Sequence, residues 1–129
     1  MVCADSDFIA DLDRGNAAAL AKLDELEGRG EPVYTTAINV AELYRGAHGS
    51  RNSDRAIGRI EKILSRFSVL NLDYESAKLW GAFAKKLKSN TIGELDLFIA
   101  SIALSNKQAL VTRNKMHFER VPGLEVEGW

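Results

Sequence analysis

Apolar residues fall along this chain alternately in short runs and in helical stripes. Val2 to Ala4 form a short apolar run that stops at Asp5, and it reads as a strand. Val33 to Thr35, Ser68 to Leu72 and Ala109 to Thr112 repeat that form, and Leu124 to Val126 predicts a fifth strand behind the Pro122-Gly123 turn. After the first run, Phe8, Ile9 and Leu12 recur at helical spacing up to a stop at Gly15. Residues 16–27 predict a second helix, capped by Asn16 and ended by Gly28 and Gly30. A third runs from about Ala37 to Ala47 and carries Ile38, Ala41, Leu43 and Tyr44. Gly46, Gly49, Ser50 and Asn52 mark a loop, after which Ser53 stands as the cap of a helix striped with Ile57, Ile60, Leu64 and Phe67. Asp73 caps a longer helix to about Ser89, with Ala77, Trp80, Phe83, Ala84 and Leu87 facing inward. Gly93 to Asn106 is apolar almost all round, as in a helix buried between neighbours.

Short strands alternating with helices imply βαβ units. The expected fold is therefore α/β, in three layers, with a short parallel sheet of four to five strands flanked by helices and joined by right-handed crossovers. The helices before Phe67 depart from strict alternation and read as a partly separate helical arm, whose gaps offer a groove to a partner. There is no repeat or linker, and 129 residues suit a single domain spanning 1–129. A chain of that length buries about two-thirds of its unfolded surface, enough for a core without staples. The single Cys, Cys3, excludes an internal disulfide framework and suits a reducing compartment; within its strand it reads as a small buried hydrophobe. No stretch approaches the roughly 20 apolar residues of a membrane span, and no basic segment precedes an apolar run at the N-terminus. The expected location is the cytoplasm, with no membrane partner.

Four side chains stand where a predicted strand ends or a helix begins: Asp5, Glu42, Asp96 and Asn114. In an α/β domain such positions gather outside the carboxyl ends of the strands. Carboxylates brought together there repel one another unless a cation lies between them. Oxygen ligands without a Cys or paired His favour Mg²⁺ or Mn²⁺ over zinc, and His48 and His117 have no such company. The chain thus reads as a metal-dependent enzyme of phosphate chemistry.

Each position also has a purely structural reading. Asp5 is a good helix N-cap, with Ser6 and Asp7 in the same turn; Asp7 is a further candidate acid. Asn39-x-x-Glu42 and Thr91-x-x-Glu94 both have the form of a capping box. Asp96 lies among Leu95, Leu97, Phe98, Ile99 and Ile102, where an unpaired carboxylate costs several kcal/mol; a buried Arg partner is the alternative to a metal. Asn114 is ordinary turn chemistry after a strand, and Thr112 and Arg113 are near enough to contact a phosphate. The formal charge of −1 does not settle the matter, because acids at a site offset a basic rim such as Arg51, Arg55, Arg59 and Lys62, or Lys85, Lys86 and Lys88.

Taken in order, three segments resemble the PIN-domain ribonucleases, specifically the VapC-like toxins of type II toxin–antitoxin pairs. VCADSDFIADLDRG resembles the family's opening strand and acid, and INVAELYRGA its second-acid helix. TIGELDLFIASIALSNKQALVTRNKMHFERVPGLEVEGW resembles its closing block. The resemblance implies Mg²⁺ or Mn²⁺ held by Asp5, Glu42 and Asp96, with Glu94 at a position where an extra acid is often seen. Asn114 stands where many relatives have Asp, so one negative charge of a second metal site is missing. Ser6 fits the small hydroxyl residue that follows the first acid. The implied reaction is hydrolysis of an RNA phosphodiester, with Thr112, Arg113 and Lys115 on the substrate backbone. The implied partners are a cognate VapB-like antitoxin and a second copy of the chain in a homodimer.

Two other readings stay open at this stage. Asp5-x-Asp7 after an apolar strand imitates a phosphatase of the haloacid dehalogenase type, although that chemistry needs a supporting Lys and a later acidic loop. An inactive module of the same fold would bind RNA or protein without cutting.

Overall fold

The computed structural model describes residues 1–87 and 92–129. Its elements follow the chain as β1 (Val2–Ala4), α1 (Ser6–Asp13), α2 (Ala17–Gly28), β2 (Val33–Thr36), α3 (Ala37–His48), α4 (Ser53–Leu64), β3 (Ser68–Leu70), α5 (Tyr74–Lys86), α6 (Glu94–Ser105), β4 (Ala109–Val111), α7 (Lys115–Phe118) and β5 (Val126–Glu127). The five strands form one sheet in the order β3-β2-β1-β4-β5, and every pairing is parallel. The fold expected from the hydrophobic pattern is the fold observed.

The order of strands places the site. From β1 the chain steps outward to β2 and β3, then returns to the other side of β1 for β4 and β5. The direction of winding therefore reverses between β1 and β4, the point at which open α/β sheets form a crevice outside the carboxyl ends of their strands. Asp5 immediately follows β1, and Thr112 immediately follows β4. The Asp5 amide donates to the Val111 carbonyl at 2.9 Å, so the two strand exits are tied at the mouth of that crevice.

Alternation along β1 divides the core. Val2 and Ala4 pack with Phe8, Ile9, Leu23 and Ile60 on one face, against α1 to α4. Cys3 packs with Phe83, Ile99, Ala103 and Leu110 on the other, against α5 and α6. β1, β2 and β4 contribute to both faces, because successive side chains point to opposite sides. The helices before Phe67 are thus no separate arm: they share one core with the sheet. Short strands hid this, since three residues place few apolar side chains on each face.

Local chemistry explains the helix boundaries. Asn16 caps α2, accepting from the Ala19 amide at 2.9 Å, and Gly15 turns the chain before it with φ +73°. Asp73 caps α5 as expected, with Ser76 reciprocating. Asn52, not Ser53, caps α4. Ala77 faces solvent, whereas Phe83 and Leu87 are buried. The α7 turn was not legible, and β5 is shifted past Leu124–Val126 to Val126–Glu127. Thr91, Lys88 and the expected end of the long helix at Ser89 lie outside the described residues. Among the described residues no helix is long and apolar enough to cross a membrane.

Candidate active site

Asp5 is the best-buried acid of the expected set, at 7% exposure. Its Oδ1 accepts from the Ser6 amide and from Asn39 Nδ2, both at 2.9 Å, and its Oδ2 accepts from Thr112 Oγ1 at 2.8 Å. It is also the N-cap of α1, as its capping reading expected. Burial pushes its carboxyl up to about 7, with Asp7 and then Asp96 adding repulsion against the hydrogen bonds from Thr112 and Ser6.

Glu42 is joined to Asp5 through Ser6. Ser6 Oγ donates to Glu42 Oε1 at 2.7 Å and accepts from Asn39 Nδ2 at 2.9 Å. The Asn39–Glu42 capping box is absent. Thr36 caps α3, and the box pairs Thr36 with Asn39. The helix begins three residues earlier than that motif implied, because Thr36 is both the last residue of β2 and an N-cap. Glu42 is thereby left free of capping and turned toward Ser6.

Asp96 lies in the first turn of α6, whose N-cap is Gly93. Its side chain is 33% exposed, and the partner is His117 rather than a buried Arg: His117 Nε2 lies 3.1 Å from Asp96 Oδ2. Glu94 is the first residue of the same helix and is exposed. With Gly93 at the cap, Glu94 has no place in a capping box.

The segment after β4 carries the remaining candidates. Thr112 is fully buried; besides Asp5 it reaches Asp7 Oδ2 at 3.3 Å and accepts from the Asn114 amide at 3.1 Å. Asn114 is the exposed N-cap of α7, and Lys115 follows it, also exposed. Arg113 is committed elsewhere: its guanidinium pairs with Asp11 and lies over the Trp129 ring at 5.3 Å. Its backbone amide donates to Asp7 Oδ2 at 3.0 Å. Burial also raises the Asp7 carboxyl, against the Arg113 amide bond, and Asp7 Oδ1 is buried without a donor among the described residues.

Three contributors were missed in the sequence: Asn39, His117 as the partner of Asp96, and the Asp11–Trp129 contact. For Asn39 a signal existed. Residues three apart share a helix face, so a polar Asn39 on the Glu42 face pointed at the same site.

The donor set suits a hard divalent cation. The acceptors here are carboxylate oxygens, Asp7 Oδ1 is a spare one among the described residues, and Asp7 and Asp96 both repel the Asp5 carboxylate. Among the described residues no three Asp, Glu, His or Cys side chains stand close enough to enclose an ion by themselves. An ion such as Mg²⁺ would have to keep several waters and take only one or two of these carboxylates.

Beside the acids a groove of about 440 Å³ opens between α1, α3 and α4. Ser6, Asp7 and Glu42 line it together with Ala10, Ala47 and Ile60, and Arg14 and Arg59 are also on its walls.

The PIN domain family profile matches residues 2–124. Ribonuclease VapC2 of Haemophilus influenzae is 40% identical over 99 residues, 75% of each chain. The tRNA(fMet)-specific endonuclease VapC of Salmonella typhimurium is 34% identical over 96 residues, 73% of each chain. The structure of VapBC2 from Rickettsia felis, bound to a DNA fragment from its promoter, superposes with a TM-score of 0.92 at 25% identity, covering 100% of this chain and 99% of that one.

Proposed function

From the premise that this chain belongs to the PIN-domain family, we propose that it is a divalent-metal-dependent endoribonuclease, the toxin of a toxin–antitoxin pair. The observation that carries this reading is the wiring of Asp5 to Glu42 through Ser6 and Asn39, with Asp96 close enough to act on Asp5, at the switch point between β1 and β4. Asp5 is buried, and a buried carboxylate with further acids acting on it is costly without a cation to neutralise it.

Asp5 and Asp96 would hold Mg²⁺ or Mn²⁺, with Glu42 as a further ligand or acting through water and Glu94 at the exposed margin. When bound there, the ion supplies an activated water and neutralises charge that develops on the phosphate. The chain's own residues do the rest. Thr112 and Ser6 hold the acid oxygens in place by donating to Asp5 and Glu42. Asn114 and Lys115 stand exposed at the mouth, where an RNA backbone would pass. Asp7 is engaged by Arg113 and Thr112 instead of projecting as a general acid, which weighs against phosphatase chemistry of the haloacid dehalogenase type.

The groove beside Asp7 and Glu42 is the receptor we assign to the antitoxin. Its apolar floor takes an apolar segment, and its acidic end takes a basic side chain. On the family resemblance we take the protein to work as one domain and as a homodimer in the cytoplasm.

The test is cleavage of total cellular RNA by the partner-free protein with Mg²⁺, Mn²⁺ or EDTA, mapping new 5′ ends beside Asp96→Asn. Discrete cuts that need metal and vanish in the variant are expected. A folded protein that makes no cuts under any metal overturns the nuclease reading.

A further inference from the structure

Asn39 is uncharged, yet it lies at the junction of the acidic network. It is fully buried, at 0% exposure. All four hydrogen-bonding positions of its amide are used. Oδ1 accepts from Thr36 Oγ1 at 2.7 Å and from the Thr36 amide at 3.3 Å. Nδ2 donates to Asp5 Oδ1 and to Ser6 Oγ, both at 2.9 Å.

We propose that Asn39 is a positioning residue of the nuclease site, whose amide holds Asp5 and, through Ser6, Glu42 as one constellation. The inference rests on the reading of the site given above. Polarity is the core of the argument. The two Thr36 donors fix which end of the amide is oxygen, so the NH₂ end faces Asp5 and Ser6. The Ser6 hydroxyl has one proton. Because Asn39 donates to its oxygen, that proton is directed to Glu42 Oε1 at 2.7 Å. Without the amide the hydroxyl is free to turn, and two carboxylates lose their common reference.

A capping role alone uses only Oδ1, whereas the positioning role uses only Nδ2. The two roles therefore separate by atom. Asn39→Asp keeps an oxygen for Thr36 and removes both donors. Thr36→Val removes the capping partner and leaves the donors. Asn39→Ala removes the donors without adding charge.

Cleavage of a fluorogenic single-stranded RNA gives kcat and KM for each variant, Mn²⁺ titration followed by EPR gives metal affinity without RNA, and thermal melting reports the fold. Asn39→Asp and Asn39→Ala are expected to lose roughly tenfold or more in kcat, with KM little changed and Mn²⁺ affinity altered in Asn39→Ala. Thr36→Val keeps the Thr36 amide as a donor to Oδ1, so it is expected to melt earlier and to lose less kcat than either Asn39 variant. Wild-type kcat and Mn²⁺ affinity in both Asn39 variants would overturn the proposal and leave Asn39 as the capping-box partner of Thr36 alone. A wild-type protein that cleaves nothing would instead remove the nuclease reading, and the Mn²⁺ affinities alone would still decide whether Asn39 places the acids.

Discussion

Trp129 donates its indole N–H to Asp11 Oδ2 over 3.2 Å. Asp11 is 3% exposed and also accepts from Arg14 and Arg113, so a buried carboxylate is met by three donors. The Trp129 ring stands edge-on to Phe8 at 5.0 Å and under the Arg113 guanidinium. The last residue of the chain thereby ties α1 to the segment that carries Thr112 and Asn114. Trp129→Phe keeps the ring contacts and loses one hydrogen bond, which costs about 1 kcal/mol. Trp129→Ala loses the ring too and costs about 3 kcal/mol. Urea unfolding of the two variants checks the order; equal stability of Trp129→Ala and wild type would sink the account.

His117 holds Asp96 from α7, an element invisible in the hydrophobic pattern. A carboxylate partner beside a metal ligand typically matters by tenfold or more. His117→Ala is expected to lower cleavage by about tenfold, with a smaller fall in melting temperature from the lost edge contact with Phe118. His117→Asn, which keeps a donor, should recover part of the loss. Full activity in His117→Ala would show that Asp96 needs no partner.

What the sequence made legible was what a short window contains. Strand runs, the Asn16 and Asp73 caps and the position of Asp5 after an apolar run each depend on neighbours within a few residues. The strand order was not local, and it alone explains why Asp5 and Thr112, 107 residues apart, share a hydrogen bond. Asn39 was read as the cap of a box with Glu42 because the spacing matched; the true cap, Thr36, was hidden in the end of a strand. Arg113 read as a phosphate contact because it follows a strand end, and only folding brings Asp11 and Trp129 to it. Charged residues declare their type in a sequence, but their partners are chosen by topology.

Asp5 gives the metal-free protein a distinct pH dependence. Its carboxyl is raised by burial from 3.8 to about 7, so between these values the folded state holds a proton that the unfolded state has released. Stability from this group is therefore full below about pH 4 and lost as pH rises toward 7, after which it levels. Asp7 is displaced in the same direction, whereas Glu127 and Asp73 are lowered and act only in the acid range. Melting temperatures of metal-free protein from pH 5 to 8 should fall. Asp5→Asn should flatten that slope, and Mg²⁺, which selects the ionised form, should oppose it. A melting temperature that rises across this range would refute the assignment.

Arg113 and Lys115 are neighbours with opposite expected roles. Arg113 is bound to Asp11, whose side chain is only 5% exposed, so Arg113→Ala strands part of a buried charge. That change should cost about 2 kcal/mol and lower the melting temperature, with substrate affinity reduced only as far as the Thr112 segment shifts. Lys115 is exposed at the start of α7, beside Asn114. A phosphate contact there is electrostatic, so Lys115→Ala should raise KM several-fold, leave the melting temperature alone and reduce the salt dependence of RNA binding by about one unit of slope. Binding measured from low to moderate salt separates the two residues. If Arg113→Ala changed the salt slope and Lys115→Ala did not, the guanidinium would have to leave Asp11 for the RNA, and the backbone contact would belong to Arg113.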